Sequence, residues 1–433
     1  MSTITTFPYV EDFESGKGSW FHGPMSANTS RCTGANFTVN DTWAFGTPNK
    51  NIAGFNRLNT AHSGDSAWVL GGLSGSYSPN ERSFVASPCF NFSTLINPAM
   101  SMWVWWETEY DPTAIPTLFT DGVNIQYSTD NGQTWSVLDR QNYGTPARPS
   151  FTFNWYVAND IDSKPGYLCI PATPTPGWSG NNGGGSGSWV RVQHQLAFLA
   201  GTANVRFRVS FANKLSGTAP GFAFDDVSIG EMPEVDLGPD VTLCAGESAM
   251  LDAGCDPVTF GNRPGWTYLW ETGPVPFQGD SCRWEIFTAN TVVVQVTNAA
   301  GLIDRDTIEI AFSPTADPGL TPIIFCPEDT FTISSRNNNP NIFSLWKRYN
   351  DTTMTWDTIG IMPAIQDYRE GRYAVCITDI WGCEVFDTVT TTQDTVPQVI
   401  LPVDDTVCIG TPYTLIMQDH VPGTNYTWEQ DRS

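Results

Sequence analysis

Three cysteines recur at a fixed spacing in the second half of this 433-residue chain. Successive members of the set Cys244, Cys326 and Cys408 are 82 residues apart, and each follows a short run typical of a β-strand. A tryptophan follows each cysteine at a similar distance, at Trp270, Trp346 and Trp428. A fixed period with matched internal landmarks is the signature of tandem modules. We therefore expect the chain to contain consecutive repeats of one small domain.

The composition favours an all-β fold class. Gly (38) and Pro (31) are frequent, and short alternating runs of apolar and polar residues lie between them. Alternation with a period of two is typical of strands, and long apolar stretches of helical period are absent. Aromatic residues make up 13% of the chain, which is enough to fill several sandwich cores.

Four domains are predicted along the chain. The first covers residues 1–232 and closes with two strongly alternating strands. Repeats follow at 233–313, 314–395 and 396–433. Because the third repeat has few residues after its tryptophan, we expect it to be the amino-terminal part of a truncated repeat, in a fragment of a larger secreted protein.

Charge and hydropathy limit the partners. A net charge of −24 repels nucleic acid and anionic lipid. No window approaches 18 apolar residues, so membrane insertion is not expected. The segment Met1–Ile4 has neither a positive region nor an apolar core, so no signal peptide is expected in this chain.

The ten cysteines favour an oxidising compartment. Their number per module is odd, which leaves either free thiols or bridges to sequence outside the chain. In the second repeat the preferred bridge joins Cys326 to Cys383 and leaves Cys376 over.

Several phrases in the first domain carry a resemblance to a known family. They are Glu11–Glu14, Ala44–Pro48, Ser63–Trp68, Glu81–Ser93 and Gly221–Val227. In these the domain resembles the MAM-like or carbohydrate-binding-module-like jelly roll of large secreted surface proteins of Bacteroidota, which are gliding-motility-associated and type IX secreted adhesin-like proteins. The resemblance implies a jelly-roll sandwich.

The repeats resemble the Ig/PKD-like modules of the same proteins. The similar phrases are Leu237–Ser248 and Tyr373–Cys383, although the first repeat has Gly301-Leu302 where the family has Gly-Cys. The resemblance implies tandem Ig-like β-sandwich repeats in a protein exported to the cell surface or the medium. It does not identify a ligand.

A structural calcium site is predicted in the first domain. Asp225 alternates in phase with Val227 and Ile229, so its carboxylate should point to the core side, where a bare charge is costly. A hard cation with oxygen ligands would neutralise it. The resemblance implies Ca2+ at positions matching Glu11, Glu14, Asp65, Asp225 and Asp226. The alternative is a carboxylate held by backbone amides.

Aromatic residues offer a candidate ligand-binding platform. In the run Trp103–Glu107, Trp103 and Trp105 should face one way and Trp106 the other. Exposed tryptophans suit stacking on sugars, and the candidates are Trp103, Trp106, Tyr110, Trp155 and Trp178. The alternative for most of them is packing in a sandwich core.

Enzymatic activity is not expected. None of the four histidines belongs to an H-E-x-x-H motif, and neither a G-x-S-x-G elbow nor a Walker loop occurs. Among possible carboxylate pairs for glycoside hydrolysis, Glu107 with Glu109 is the least implausible. We predict no catalytic residues.

The leading hypothesis is therefore a non-enzymatic extracellular adhesion protein. A jelly-roll head on an Ig-like stalk would recognise a cell-surface glycan or protein. One alternative is a structural protomer of an oligomeric surface appendage, in which copies of the chain bind each other. Another is an accessory region of a secreted hydrolase.

Overall fold

The computed structural model describes residues 3–25, 40–114, 118–138, 154–167, 173–181, 185–214, 217–272, 275–277, 281–313, 320–335, 342–394, 406–416 and 425–429. In this part of the chain the regular structure is β-strand apart from a 3-10 turn at Ala197–Leu199, so the all-β prediction is confirmed. No helix within these ranges is long and apolar enough to cross a membrane. The chain forms two compact units, Met1–Pro239 with Met250–Ile286 and Asn290–Glu309, and Asp240–Ala249 with Phe287–Ala289 and Ile310–Ser433.

The head is a two-sheet β-sandwich. Its strands are β1 (Thr3–Ile4), β2 (Tyr9–Glu11), β3 (Phe21–Pro24), β4 (Ala44–Gly46), β5 (Ala67–Val69), β6 (Arg82–Ala86), β7 (Cys89–Phe90), β8 (Pro98–Glu107), β9 (Tyr110–Asp111), β10 (Leu118–Phe119), β11 (Gly122–Ser128), β12 (Ser136–Val137), β13 (Val190–Gln195), β14 (Arg206–Ala212) and β15 (Gly221–Glu231). One sheet has the order β12-β11-β14-β6-β3, and the other has β13-β8-β15-β5-β4 with β2 added on β15. Side chains from both sheets, such as Val123 and Phe222, form one large buried cluster.

The two complete repeats share one topology. The first contains β16 (Val241–Leu243), β17 (Ala249–Asp252), β18 (Thr267–Thr272), β19 (Val275–Phe277), β20 (Arg283–Ile286), β21 (Asn290–Thr297) and β22 (Ile303–Phe312). The second contains β23 (Ile323–Phe325), β24 (Phe331–Ser334), β25 (Ile342–Asn350), β26 (Thr355–Gly360), β27 (Ala364–Asp367), β28 (Gly371–Asp379) and β29 (Glu384–Gln393). Their main sheets run β16-β22-β21-β18-β19 and β23-β29-β28-β25-β26, each beside a two-stranded sheet.

Equivalent residues make the same stabilising contacts inside each of the two repeats. In each, the first strand pairs in parallel with the end of the last strand. The periodic tryptophans Trp270 and Trp346 are buried, and each indole N–H donates to a backbone carbonyl. The 82-residue period therefore reflects one domain plan used twice, as the Ig-like prediction requires.

Candidate functional site

The last strand of the head, β15, contains a β-bulge where the calcium site is predicted. Its register against β8 shifts after Asp225, and Asp226 has a left-handed φ of 49°. Phe224, before the bulge, and Val227, after it, both belong to the main core. Because the bulge interrupts the alternation, Asp225 lies on the opposite face of the sheet. The prediction that its carboxylate points to the core side was wrong.

Asp225 is nevertheless fully buried under the loop before β5. Its Oδ2 accepts hydrogen bonds from the backbone N–H groups of His62 (2.9 Å) and Ser63 (3.2 Å), and its Oδ1 accepts one from Asp226 N–H (2.8 Å). Burial, and then the charge of Asp226, raise the pKa of Asp225 to about 7. The geometry therefore matches the alternative interpretation of this position, in which backbone amides hold the carboxylate.

The carboxylate of Asp226 binds side chains of the same loop. Its Oδ2 lies 2.5 Å from His62 Nδ1, and its Oδ1 accepts a 2.7 Å hydrogen bond from Ser63 Oγ. The His62 ring stacks on Trp103, with ring centroids 3.7 Å apart, and meets Trp189 edge-on at 6.1 Å. Neither His62 nor Trp189 is predicted from the sequence, because 164 residues separate His62 from Asp226 and no local motif links them.

The other predicted calcium ligands are Glu11, Glu14 and Asp65, and Asp65 belongs to the same loop as His62 and Ser63. Glu14 and Asp65 are exposed, and Glu14 Oε1 accepts a 2.7 Å hydrogen bond from Ser66 N–H. Glu11 is half-buried and accepts a 3.1 Å hydrogen bond from the backbone of Phe13. Burial raises the pKa of the Glu11 carboxyl above its ordinary value.

In the described part of the chain these carboxylates are not gathered into a set of calcium ligands. The described residues contain no group of three or more His, Cys, Asp or Glu side chains that could hold a metal. Calcium needs six to eight oxygen ligands, whereas the carboxylates of Asp225 and Asp226 face N–H and O–H donors. Calcium binding stays a prediction, which melting curves with calcium and with chelator can test.

The aromatic residues predicted to bind a ligand do not form an exposed platform. Trp106, Trp155 and Trp178 are only 6%, 3% and 0% exposed and belong to the main core. Their assignment to ligand binding was wrong, because Trp106 faces inward on β8 and the other two pack against each other at 5.1 Å. Trp103 and Tyr110 are half-buried: His62 covers one face of Trp103, and Tyr110 stacks with Phe119 at 6.2 Å.

Within the first compact unit, the head docks on the start of β22. The side chain of Gln193 is fully buried and makes two hydrogen bonds to the backbone of Ile303, of 2.7 and 2.9 Å. Beside them Leu302, also fully buried, packs against Ala99 and Met232 of the head. These buried hydrogen bonds and apolar contacts join the two domains.

A cleft of about 1080 Å3 opens next to this junction, in the same compact unit. Phe7 and Pro8 of the head form part of one wall, and Trp266 of the first repeat forms part of the other. The guanidinium of Arg263 lies 4.9 Å from the centroid of the Trp266 ring, and Arg263 Nε donates to the carbonyl of Gly254.

Four acidic residues, Glu231, Glu234, Asp236 and Asp252, line the cleft along with the single guanidinium of Arg263. Ligand sites are typically concave, lie between domains, and combine aromatic surface with a few polar groups. None of these residues was a candidate in the sequence analysis, because only the docking of two domains brings them together.

The second repeat exposes an aromatic sheet face. Phe343 and Phe386 are 65% and 58% exposed, and the rings of Tyr349 and Trp356 on the neighbouring strands meet at 5.3 Å. Cys376 lies directly across from Phe386 in the register and is a half-buried free thiol. The prediction that Cys376 points away from the core face of its strand is confirmed.

The disulfide prediction was wrong. Cys383 is bonded to Cys244 of the first repeat, with Cα atoms 5.3 Å apart, whereas Cys326 is an exposed free thiol. Cys383 precedes the start of β29, but the residue before Cys326 pairs with Gln393 at the end of that strand. About ten residues of strand span about 33 Å, whereas bridged Cα atoms lie within about 7 Å. A second bridge joins Cys255 to Cys282.

No protein-family model matches the chain, and no curated protein matches it. Several solved structures are similar in part. The K1 cleaved adhesin domain of Lys-gingipain from Porphyromonas gingivalis W83 is 13% identical with a TM-score of 0.26, over 52% of this chain and 99% of that one. The insect immune protein hemolin is 13% identical with a TM-score of 0.24, over 37% of this chain and 46% of hemolin. DIP-gamma IG1+IG2 is 11% identical with a TM-score of 0.24, over 38% of this chain and 99% of that one. At these scores the likenesses carry no argument about function.

Proposed function

We propose that the chain is a non-enzymatic extracellular binding protein whose ligand lies in the cleft between the head and the first repeat. The observation that carries the proposal is the cleft itself, whose lining combines the aromatic ring of Trp266 with carboxylates next to the junction of the two domains. The head supplies one wall of the cleft, and the first repeat supplies the other.

The lining favours a neutral glycan as the ligand. A partly exposed indole offers an apolar face for the C–H side of a sugar ring, and carboxylates accept hydrogen bonds from hydroxyl groups. Four carboxylates against one guanidinium, on a chain of net charge −24, repel anionic ligands. A neutral oligosaccharide meets both conditions.

An extracellular or cell-surface location belongs to the same proposal. It rests on the resemblance to secreted Bacteroidota surface proteins, and the disulfides Cys244–Cys383 and Cys255–Cys282 support it because such bonds persist in oxidising compartments. Type IX secretion and a connection to gliding motility follow from the resemblance alone.

A glycan array tests the proposal, with calcium and with chelator. We expect the wild-type chain to bind neutral oligosaccharides and Trp266→Ala to lose at least about tenfold in affinity, the scale of one well-packed aromatic contact. Trp381→Ala is the matched control, because Trp381 is a 49% exposed tryptophan on the second repeat, away from the cleft lining. Equal binding by wild type and Trp266→Ala, or no binding by either, contradicts the proposal. Binding only in calcium would support the calcium prediction.

The second candidate function is a structural protomer that associates with its own copies. The exposed aromatic face of the second repeat favours it, because large apolar patches on soluble domains commonly mark interfaces. Sedimentation over a wide range of concentration tests it. Self-association that Phe386→Ser weakens would support it, and a monomer at every concentration would remove it.

A further inference from the structure

The turn that bears Cys383 has a close counterpart one repeat earlier. In the first repeat Asn298 Oδ1 accepts hydrogen bonds from the N–H groups of Ala300 and Leu302, and Gly301 has a φ of 75°. In the second, Asp379 Oδ1 accepts hydrogen bonds from Trp381 and Cys383, and Gly382 has a φ of 85°. Leu302 and Cys383 therefore occupy the same position in the same turn.

Both turns contact the domain that precedes them in the chain. Leu302 packs on Ala99 and Met232 of the head, and Cys383 is bonded to Cys244 of the first repeat. Leucine stands at this position where the preceding domain offers an apolar surface, and cysteine stands there where the preceding domain offers a thiol. The position is a docking point for the preceding domain.

Cys326 occupies in the second repeat the place that Cys244 has in the first. Each follows the strand that pairs in parallel with the end of the last strand. Each begins a turn in which its carbonyl accepts a hydrogen bond three residues on, from Glu247 at 3.0 Å and from Asp329 at 3.1 Å. The carbonyl of the residue before each cysteine accepts a further 2.8 Å hydrogen bond, from Ser313 and from Asp394 respectively.

The two positions differ in their bonding partners. Cys244 is bonded to the turn of the second repeat, whereas Cys326 is an exposed thiol at the end of its repeat opposite Cys383. Cys408 repeats the same local turn, with its carbonyl accepting from Thr411 at 3.2 Å, and it is exposed as well.

We propose that Cys326 is the covalent attachment point for the Gly-Cys turn of the repeat that follows it. Successive repeats are then joined by staggered disulfides, each from the first cysteine of one repeat to the last cysteine of the next. Where the third repeat is complete, that partner lies about 82 residues beyond Cys383, as the cysteine period requires.

The chemistry is a thiol–disulfide exchange. The thiols of Cys326 and its partner each lose a proton, and together they give two electrons to the disulfide of an oxidoreductase, which leaves as a dithiol. One S–S bond forms in the protein as one is reduced in the oxidant.

Peptide mapping of the natural full-length protein tests the proposal. The protein is alkylated at harvest without reductant, digested, and analysed by mass spectrometry. We expect Cys326 in a disulfide with a cysteine of an Asp-x-x-Gly-Cys type of turn in the next repeat. Recovery of Cys326 as an alkylated thiol, or in a bridge to Cys376 or to another copy of itself, overturns the proposal.

Two variants of the full-length protein sharpen the result. Cys326→Ser changes an exposed side chain, so the fold should persist while the partner cysteine becomes alkylated. Cys376→Ser, the matched control in the same repeat, should leave the partner protected. In the 433-residue chain Cys326 should be alkylated without reduction while Cys244 and Cys383 are protected. Alkylation of Cys244 under those conditions would show that the bridge between Cys244 and Cys383 is absent. Because the proposed bridge of Cys326 is inferred from that one, the proposal would be overturned.

Discussion

Several buried ionisable side chains of the head are held by backbone groups. Asp225 accepts three backbone N–H groups, and the ammonium of Lys50, with no exposed surface, donates to the carbonyl of Gly75 at 2.7 Å. Asp121 accepts hydrogen bonds from the backbone N–H of Lys214 at 3.0 Å and from the Tyr77 hydroxyl at 2.8 Å, and burial raises its pKa to about 7. Burial disfavours the charged form, so the pKa of each acid rises and that of the amine falls.

Replacing Asp225 should loosen the loop before β5. Asp225→Ala removes the acceptor of three backbone hydrogen bonds, which we expect to lower the free energy of unfolding of the head by about 2–4 kcal/mol. Amide exchange at His62 and Ser63 should become faster. Asp65→Ala, at an exposed position of the same loop, should leave both quantities nearly unchanged. A melting temperature equal to that of the wild type would refute the role given to Asp225.

The same melts test calcium. If calcium binds at Asp225, addition of calcium raises the melting temperature of the wild type over that in chelator, and Asp225→Ala removes the difference. No calcium effect on the wild type would remove the calcium prediction.

Lys50 should make stability depend on pH above neutrality. Burial lowers its pKa from 10.5 to about 7 in the folded chain, so between these values the unfolded chain binds more protons. The cost of burying Lys50 therefore decreases as pH rises from about 7 to about 10.5, and the stability of the fold increases over this range. Lys50→Met should flatten this part of the profile of melting temperature against pH. An unchanged slope would show that Lys50 is not neutral in the folded state.

Among the elements, the junction of head and first repeat depends on β13 and β22. Gln193→Leu would leave the N–H and C=O of Ile303 buried without their partners, at a cost of about 2–4 kcal/mol. We expect faster proteolysis of the connection near residues 233–239 and weaker glycan binding, because the cleft loses a fixed wall. Gln366→Leu on the second repeat, where the side chain is exposed, is the control. Equal proteolysis of both variants would show that Gln193 does not hold the junction.

The sequence was informative where a pattern is local and periodic. The 82-residue spacing predicted the repeats, and alternation along β8 correctly separated Trp106 from Trp103. It failed at Asp225, because a bulge adds one residue and reverses the facing of the residues beyond it. It also failed at Cys383, because a bridge within one repeat was assumed, whereas the turn reaches the preceding repeat. The cleft could not be predicted, because it forms only where two domains dock and no local sequence pattern shows how domains dock.

For the whole molecule, the second compact unit depends on the bridge between Cys244 and Cys383. A loop closed over 139 residues restricts the unfolded chain, and its loss typically costs about 2–5 kcal/mol. Cys244→Ser should make Cys383 alkylatable without reductant and lower the unfolding midpoint of the second repeat. Cys408→Ser, at an exposed thiol, should change neither. A protected Cys383 in the Cys244→Ser variant would mean that it has another partner.

The central claim is that the cleft beside the head binds a neutral glycan. The most direct measurement is a calorimetric titration of the strongest array ligand into wild type, Trp266→Ala and Trp381→Ala. We expect saturable one-to-one binding for wild type and Trp381→Ala, and at least about tenfold weaker binding for Trp266→Ala. Identical affinities for all three would place the ligand elsewhere and overturn the proposal.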